Sequence, residues 1–167
     1  MASQATMSIF RARDIAMMHH EAAEMDTAPD TAADGLARMF DAGMTSGAVV
    51  KRLFDAPGFS LVYAWFKPSF PLYRHSHNKD CLYYIVSGSL RLGTEELGPG
   101  DGFFLTADTP YTYAIGPEGL EILEFRHEGD FNTRTMGGTK AYWDKAVAAV
   151  TANRANWEAM IPPRAAA

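Results

Sequence analysis

With 167 residues, 47% of them apolar, the chain is long enough to bury one core and too short to expect two. Its 20 acidic and 15 basic residues give a formal net charge of −5, and the basic ones are scattered, which speaks against nucleic acid or an anionic membrane surface as partner. Cys81 is the only cysteine, so no intramolecular disulfide can form, and the N-terminus lacks an apolar run of signal-peptide or membrane-span length; a cytoplasmic location is expected.

The chain opens with an arm, residues 1–47, in which two helical stretches are expected. Residues 13–25 are rich in Ala, Met and Glu, and residues 35–43 carry Leu36, Met39 and Phe40 at helical spacing, with Asp26-Thr27-Ala28-Pro29-Asp30 as the loop between them. From Ala48 the apolar period changes to two. Short β-rich runs follow at 49–54, 60–66, 82–86, 89–92, 102–105, 111–115 and 120–125. They are bounded by Gly, Pro or Asp, as in Ala56-Pro57-Gly58, Ser87-Gly88, Gly98-Pro99-Gly100-Asp101 and Gly116-Pro117-Glu118-Gly119. This spacing predicts an all-β sandwich or barrel over residues 48–130. Within the remaining segment, 131–167, residues 140–160 carry Trp143, Val147, Val150 and Trp157 and predict one amphipathic helix, ended by Pro162-Pro163. The three segments read together as a single domain.

His75-Ser76-His77 is the stretch that points to chemistry. In a strand, residues i and i+2 share a face and lie ~6.6 Å apart, so both imidazoles can reach one ion. Three side chains are candidates to complete such a site. Cys81 as thiolate would favour zinc or iron. Tyr111 as phenolate would suit ferric iron or copper. In Leu123-Glu124-Phe125-Arg126-His127, alternation puts Leu123, Phe125 and His127 on one apolar face, expected to line the interior, which makes His127 a third imidazole.

Residues 71–88, from Pro71-Leu72-Tyr73-Arg74-His75-Ser76-His77 through Cys81-Leu82-Tyr83-Tyr84-Ile85-Val86 to Gly88, resemble the first motif of the cupin superfamily. That motif has His-x-His, a Glu a few residues later, an aromatic-aliphatic strand and a Gly turn. Residues 98–111, from Gly98-Pro99-Gly100-Asp101-Gly102-Phe103 to Pro110-Tyr111, are similar to the second motif, which carries a Pro, a Gly and finally a His. The resemblance spans roughly residues 48–126. It implies a small single-domain cupin: an antiparallel jelly-roll barrel with an N-terminal arm, a C-terminal helix packed outside, and a divalent first-row metal (Fe, Zn, Ni, Cu or Mn). His75 and His77 match the ligand pattern, whereas Cys81 stands at the usual Glu and Tyr111 at the usual last His. In the cysteine dioxygenase branch the Glu position can be a Cys cross-linked to a Tyr near the iron. Cys81, with Tyr111 or Tyr113, resembles that arrangement, although that branch keeps the third His.

The expected function is that of a metal-dependent enzyme acting on a small, mostly apolar or aromatic molecule by dioxygenase, isomerase or lyase chemistry, with Tyr111 or Tyr113 available for proton transfer. Tyr63, Trp65, Tyr73, Tyr83, Phe103, Tyr111, Tyr113 and Phe125 occupy odd positions and are expected to face inward; Lys51, Arg74 and Arg91 are the nearest basic candidates to anchor a carboxylate. Replacement of two usual ligands leaves an alternative, a metal-free barrel that binds a small ligand as a sensor or storage module. Exposed sheet edges, with Ile9, Phe10, Met17 and Met18 in the arm, point to a homodimer.

Overall fold

The change of period near residue 48 is where the first long strand begins. A computed structural model describes residues 7–18, 25–27 and 30–167. In chain order it contains a 3-10 turn at Ala12–Asp14, strand β1 (Met25–Thr27), helix α1 (Asp30–Asp41) and a 3-10 turn at Met44–Gly47. Strands β2 (Ala48–Ala56), β3 (Phe59–Phe66), β4 (His75–Ser76), β5 (Cys81–Leu92), β6 (Glu95–Leu97), β7 (Gly102–Leu105), β8 (Ala114–Arg126) and β9 (Thr133–Thr135) follow, and helix α2 (Lys140–Ala159) comes last.

The strands form two sheets of a β jelly roll. The larger runs β2-β3-β8-β5-β6, with β7 paired to the other part of β5; the smaller runs β1-β9-β4. All pairings are antiparallel except that of β1 with β9. The N-terminal arm supplies α1, and α2 packs on the barrel from outside. One core cluster takes in Leu36 and Met39 of α1, Trp143, Val150 and Trp157 of α2, and Ala64, Tyr83, Ile85, Leu120 and Ile122 of the large sheet. Thr139 caps α2 by accepting from the Tyr142 backbone N–H, and Trp157 Nε1–H donates to the Pro68 carbonyl at 2.9 Å. Among the described residues no helix is long and apolar enough to cross a membrane.

Three expectations change. Over its described part, the stretch 13–25 is not a helix: residues 12–14 make a 3-10 turn, 16–18 are irregular, and 25–27 form β1, while 19–24 lie outside the described residues. Contacts override the helical composition, because Met18 N–H donates to the Val50 carbonyl and Ala12 and Ile15 pack on Tyr63 and Trp65. The supposed loop at 26–30 likewise begins inside β1. The turn expected at Ser87-Gly88 is instead a bulge in one long strand β5, where Gly88 has φ +72° and an added Cβ would sit 2.0 Å from the Gly119 carbonyl oxygen.

The third correction concerns which face is inside. Pairing aligns Val62 of β3 with Glu124 of β8, Glu124 with Tyr83 of β5, and Tyr83 with Phe103 of β7. In β8 it is therefore Ile122, Glu124 and Arg126 that turn inward. Tyr73, Tyr83, Phe103, Tyr111 and Tyr113 belong to the inner core as expected, but Tyr63 and Trp65 sit in a second cluster with Leu53 and Ala166, and Phe125 meets Phe59 on the outer side. Register decides this, since a shift of one residue exchanges the faces of a strand. Leu82, Tyr84 and Val86 of β5 and Phe104 of β7 remain exposed on that outer side.

Candidate active site

Strand β4 is short, but its partner fixes it. His75 N–H donates to the Tyr111 carbonyl at 3.0 Å and Tyr111 N–H returns to the His75 carbonyl at 2.8 Å, which brings the two rings to 4.5 Å between centroids. His77, just past the strand, is held by a reciprocal asparagine clamp. Asn78 N–H donates to Asn132 Oδ1 at 3.1 Å and Asn132 N–H to Asn78 Oδ1 at 2.9 Å, so the Asn132 carbonyl faces the His77 ring.

The hydrogen bonds of the two imidazoles define their tautomers. His75 Nδ1 lies 2.8 Å from the Tyr73 carbonyl and His77 Nδ1 lies 2.7 Å from the Asn132 carbonyl. A carbonyl only accepts, so both Nδ1 atoms carry the hydrogen and both Nε2 atoms present lone pairs. Burial pushes His75 below the ordinary imidazole range; burial, aided by the Arg126 charge, brings His77 down to about 4, so both rings are neutral near pH 7. The two Nε2 atoms meet at one phenol: Tyr111 Oη is 2.9 Å from His75 Nε2 and 3.2 Å from His77 Nε2, with Tyr83 Oη 2.6 Å away on its other side. Tyr111 has one hydrogen to give. At least one imidazole lone pair therefore faces an oxygen lone pair.

The other sequence candidates separate. Cys81 is buried in the same core, next to Tyr83. Burial first, then the negative Glu124, pushes its thiol up to about 12, so without a metal beside it the thiol is protonated near pH 7. His127 does not join His75 and His77. Its side chain is 61% exposed, 3.5 Å from Glu128, because the inward phase of β8 belongs to the even-numbered residues. Tyr113 is buried and stacks on Tyr111 with centroids 6.1 Å apart, meeting Phe103 edge-on. Burial raises Tyr111, Tyr83 and Tyr113 well above the usual phenol range. The three basic candidates point elsewhere: Lys51 Nζ donates to the carbonyls of Ala12 and Ala167, Arg91 donates to the Gly93 carbonyl, and Arg74 is exposed.

Sequence reasoning missed Glu124 and Arg126. They form a buried ion pair at 2.7 Å on the inner face, with the Arg126 guanidinium 3.9 Å above the Phe131 ring; Phe131 in turn meets His77 edge-on at 5.4 Å. The available signal was an acid and a base at i and i+2 of one strand, a self-neutralising pair that can be taken inside. A cavity of about 190 Å³ opens beside the imidazoles. His75, His77 and Glu124 form its polar end, while Val50, Val62, Phe66 and Phe70 form apolar walls that Met17 and Met18 of the arm help to line.

No family model matches the sequence, and no curated protein does. Among solved structures, the polyketide cyclase RemF from Streptomyces resistomycificus matches with a TM-score of 0.51 at 20% identity, over 62% of this chain and 84% of its own. A Ralstonia eutropha protein of unknown function with a cupin-like fold covers 65% of this chain and 76% of its own, at 14% identity and a TM-score of 0.45. The chain has the cupin fold. A single-site variant of oxalate decarboxylase from B. subtilis matches at 20% identity with a TM-score of 0.48, covering 54% of this chain but 28% of its own, so this cupin barrel spans under a third of that enzyme. Cupin-fold neighbours thus include enzymes, and at these identities the likeness is one of fold. Within this cupin barrel the His-x-His strand and the end of the second motif converge: Tyr111, where that motif usually carries a His, touches both imidazoles.

Proposed function

We propose that this cupin barrel is a metal-dependent enzyme acting on a small, largely apolar molecule, with His75, His77 and Tyr111 as the set that holds the metal. One observation carries the reading: two imidazole lone pairs converge on a phenol with a single hydrogen. A divalent first-row cation in place of that hydrogen would satisfy both nitrogens and the oxygen, and such a donor set suits iron, copper or zinc better than magnesium or calcium. When bound, the ion would supply Lewis acidity and, if redox-active, activation of dioxygen, in keeping with dioxygenase, isomerase or lyase chemistry.

The remaining work falls to the chain itself. The carbonyls of Tyr73 and Asn132 fix ring orientation and keep Nε2 free, as outer-shell acceptors do for ligating histidines. With Tyr111 bound as phenolate, Tyr83 Oη, 2.6 Å away, would donate to its oxygen and favour the negative charge there. Glu124 brings a carboxylate into the cavity wall for moving a proton, and the apolar walls keep water from the bound molecule. A metal-free ligand-binding barrel is the second reading. It is favoured by the finding that, among the described residues, no group of three or more His, Cys, Asp or Glu side chains, the commonest metal donors, gathers at one point. Elemental analysis of untagged protein decides between them. Close to one metal per chain, lost in a His75→Ala, His77→Ala variant, supports the enzyme; substoichiometric metal unchanged in the variant supports the binding module.

A further inference from the structure

Pairing of β8 with β3 and β5 turns Glu124 inward, where its side chain, 12% exposed, lines the cavity. With His75 and His77 neutral, Glu124 is the only charged side chain among the described residues that line it. Arg126, which does not line the cavity, donates to Glu124 Oε2 at 2.7 Å. No group among the described residues donates to Oε1, and Oε1 is not sealed off in the way that Arg126 Nη1 is. That oxygen therefore opens on the cavity. A carboxylate oxygen only accepts, and native structures answer inward acceptors with a donor. The imidazoles at the same end add to the imbalance, because His75 Nε2 and His77 Nε2 share the single hydrogen of Tyr111. The polar end of the cavity is short of hydrogens, not of lone pairs.

We propose that the cavity takes a small neutral molecule with an apolar body and a hydroxyl group that donates to Glu124 Oε1. A hydrogen bond to an ionised acceptor is stronger than one between neutral groups, so this contact orients the ligand. The ligand is neutral because Arg126 already balances Glu124: a cation would leave a net positive charge buried, and an anion would face the carboxylate. Val50, Val62, Phe66 and Phe70 suit an apolar body, and about 190 Å³ is room for one ring with a short substituent, since a dry cavity of about 150 Å³ holds benzene. The inference rests on the small-molecule reading above and names the chemical class for the same cavity. It does not depend on the metal, because Glu124 is not one of the groups that would hold the ion. Glu124 is a specificity-determining residue in this account.

Benzyl alcohol and anisole form a matched pair of probes: they are isomers, and the first donates a hydrogen bond where the second only accepts. Both are titrated, with protonated benzylamine as charged control, into protein carrying ¹³C at Glu carboxylates and Met methyls, as purified and after chelator treatment. Metal content is measured in the same samples. Both isomers should shift the methyl of Met44, which lines the cavity, and benzyl alcohol alone should shift the Glu124 carboxylate. Benzyl alcohol should bind about 10-fold tighter than anisole or better, before and after chelation. In Glu124→Gln the amide oxygen goes to Arg126 and the amide NH2 to the cavity, so the preference should turn toward anisole. Equal affinity, an unmoved Glu124 carboxylate, tighter binding of benzylamine than of benzyl alcohol, or a preference unchanged in Glu124→Gln would each overturn the inference and leave the small-molecule reading standing. Binding of neither isomer at millimolar concentration sinks both. Wild-type spectra decide the matter even where Glu124→Gln does not fold. Hydroxyl preference without metal supports this inference and sinks only the metal reading.

Discussion

Replacing Tyr111 with Phe removes a single oxygen at the point where three side chains meet. In the wild type that oxygen lies 2.9 Å and 3.2 Å from the two imidazole Nε2 atoms and 2.6 Å from Tyr83 Oη. The variant takes a hydrogen-bond partner from His75 Nε2 and another from Tyr83 Oη, both deep in the core, at a cost of about 1–3 kcal/mol for each group that stays unmet. Ring packing against Tyr113, Tyr83 and His75 is kept, so no cavity larger than a hydroxyl appears. A chain of this size loses roughly 2–4 °C in Tm for each kcal/mol, which predicts a fall of about 4–24 °C for a loss of about 2–6 kcal/mol when both groups stay unmet. If Tyr111 is also the third donor, the metal affinity of Tyr111→Phe falls by at least about 10-fold, the lower end of what loss of an outer-shell partner causes. Thermal denaturation of chelated wild type and variant reads the first effect, and competition with a colorimetric chelator reads the second. A variant within about 0.5 kcal/mol of wild type and equal in metal affinity would refute the reasoning.

Three further outcomes follow from the same geometry. His77 has a pKa of about 4 when folded, against an ordinary 6.5, so the unfolded chain binds more protons between these values and stability falls as the pH drops below 6.5. From this group alone the loss is roughly 2 kcal/mol at about pH 5, His75 acts in the same direction, and chelated protein should lose Tm over that range; an equal slope in His77→Asn would contradict it. Gly88→Ala should lower stability by several kcal/mol or prevent folding, because its Cβ would meet the Gly119 carbonyl at 2.0 Å; a soluble variant with the denaturation midpoint of wild type would remove the bulge from the account. Cys81 should be inert to a thiol-specific disulfide reagent at pH 8 in folded protein and react fully in denaturant, and rapid reaction of the folded chain would contradict a buried neutral thiol.

The barrel was legible because its strands alternate between turn residues, and His75 and His77 were legible because two histidines at i and i+2 of a strand must share a face. Tyr111 was legible as one of three candidate partners, beside Cys81 and His127, through its place in the second motif. The phase of β8 was not. Both of its faces carry apolar residues, Leu123 and Phe125 on one and Ile122 on the other, so alternation alone gave no sign of which was inside. Pairing with β3 and β5 made the choice, sending His127 out and Glu124 and Arg126 in. The Ser87-Gly88 pair reads locally as a turn, yet it is the long-range approach of Gly119 that calls for glycine at residue 88. Residues 13–18 have helical composition but are drawn out along β2 and the outer cluster by contacts no local pattern announces.

The central claim is that His75, His77 and Tyr111 hold a metal ion. Anomalous diffraction from crystals of untagged protein grown without added metal tests it most directly. One anomalous peak is expected within bonding distance of both Nε2 atoms and the Tyr111 oxygen, with the absorption edge of a first-row metal. Well-ordered side chains with a direct Tyr111 to His75 hydrogen bond and no anomalous peak would contradict it.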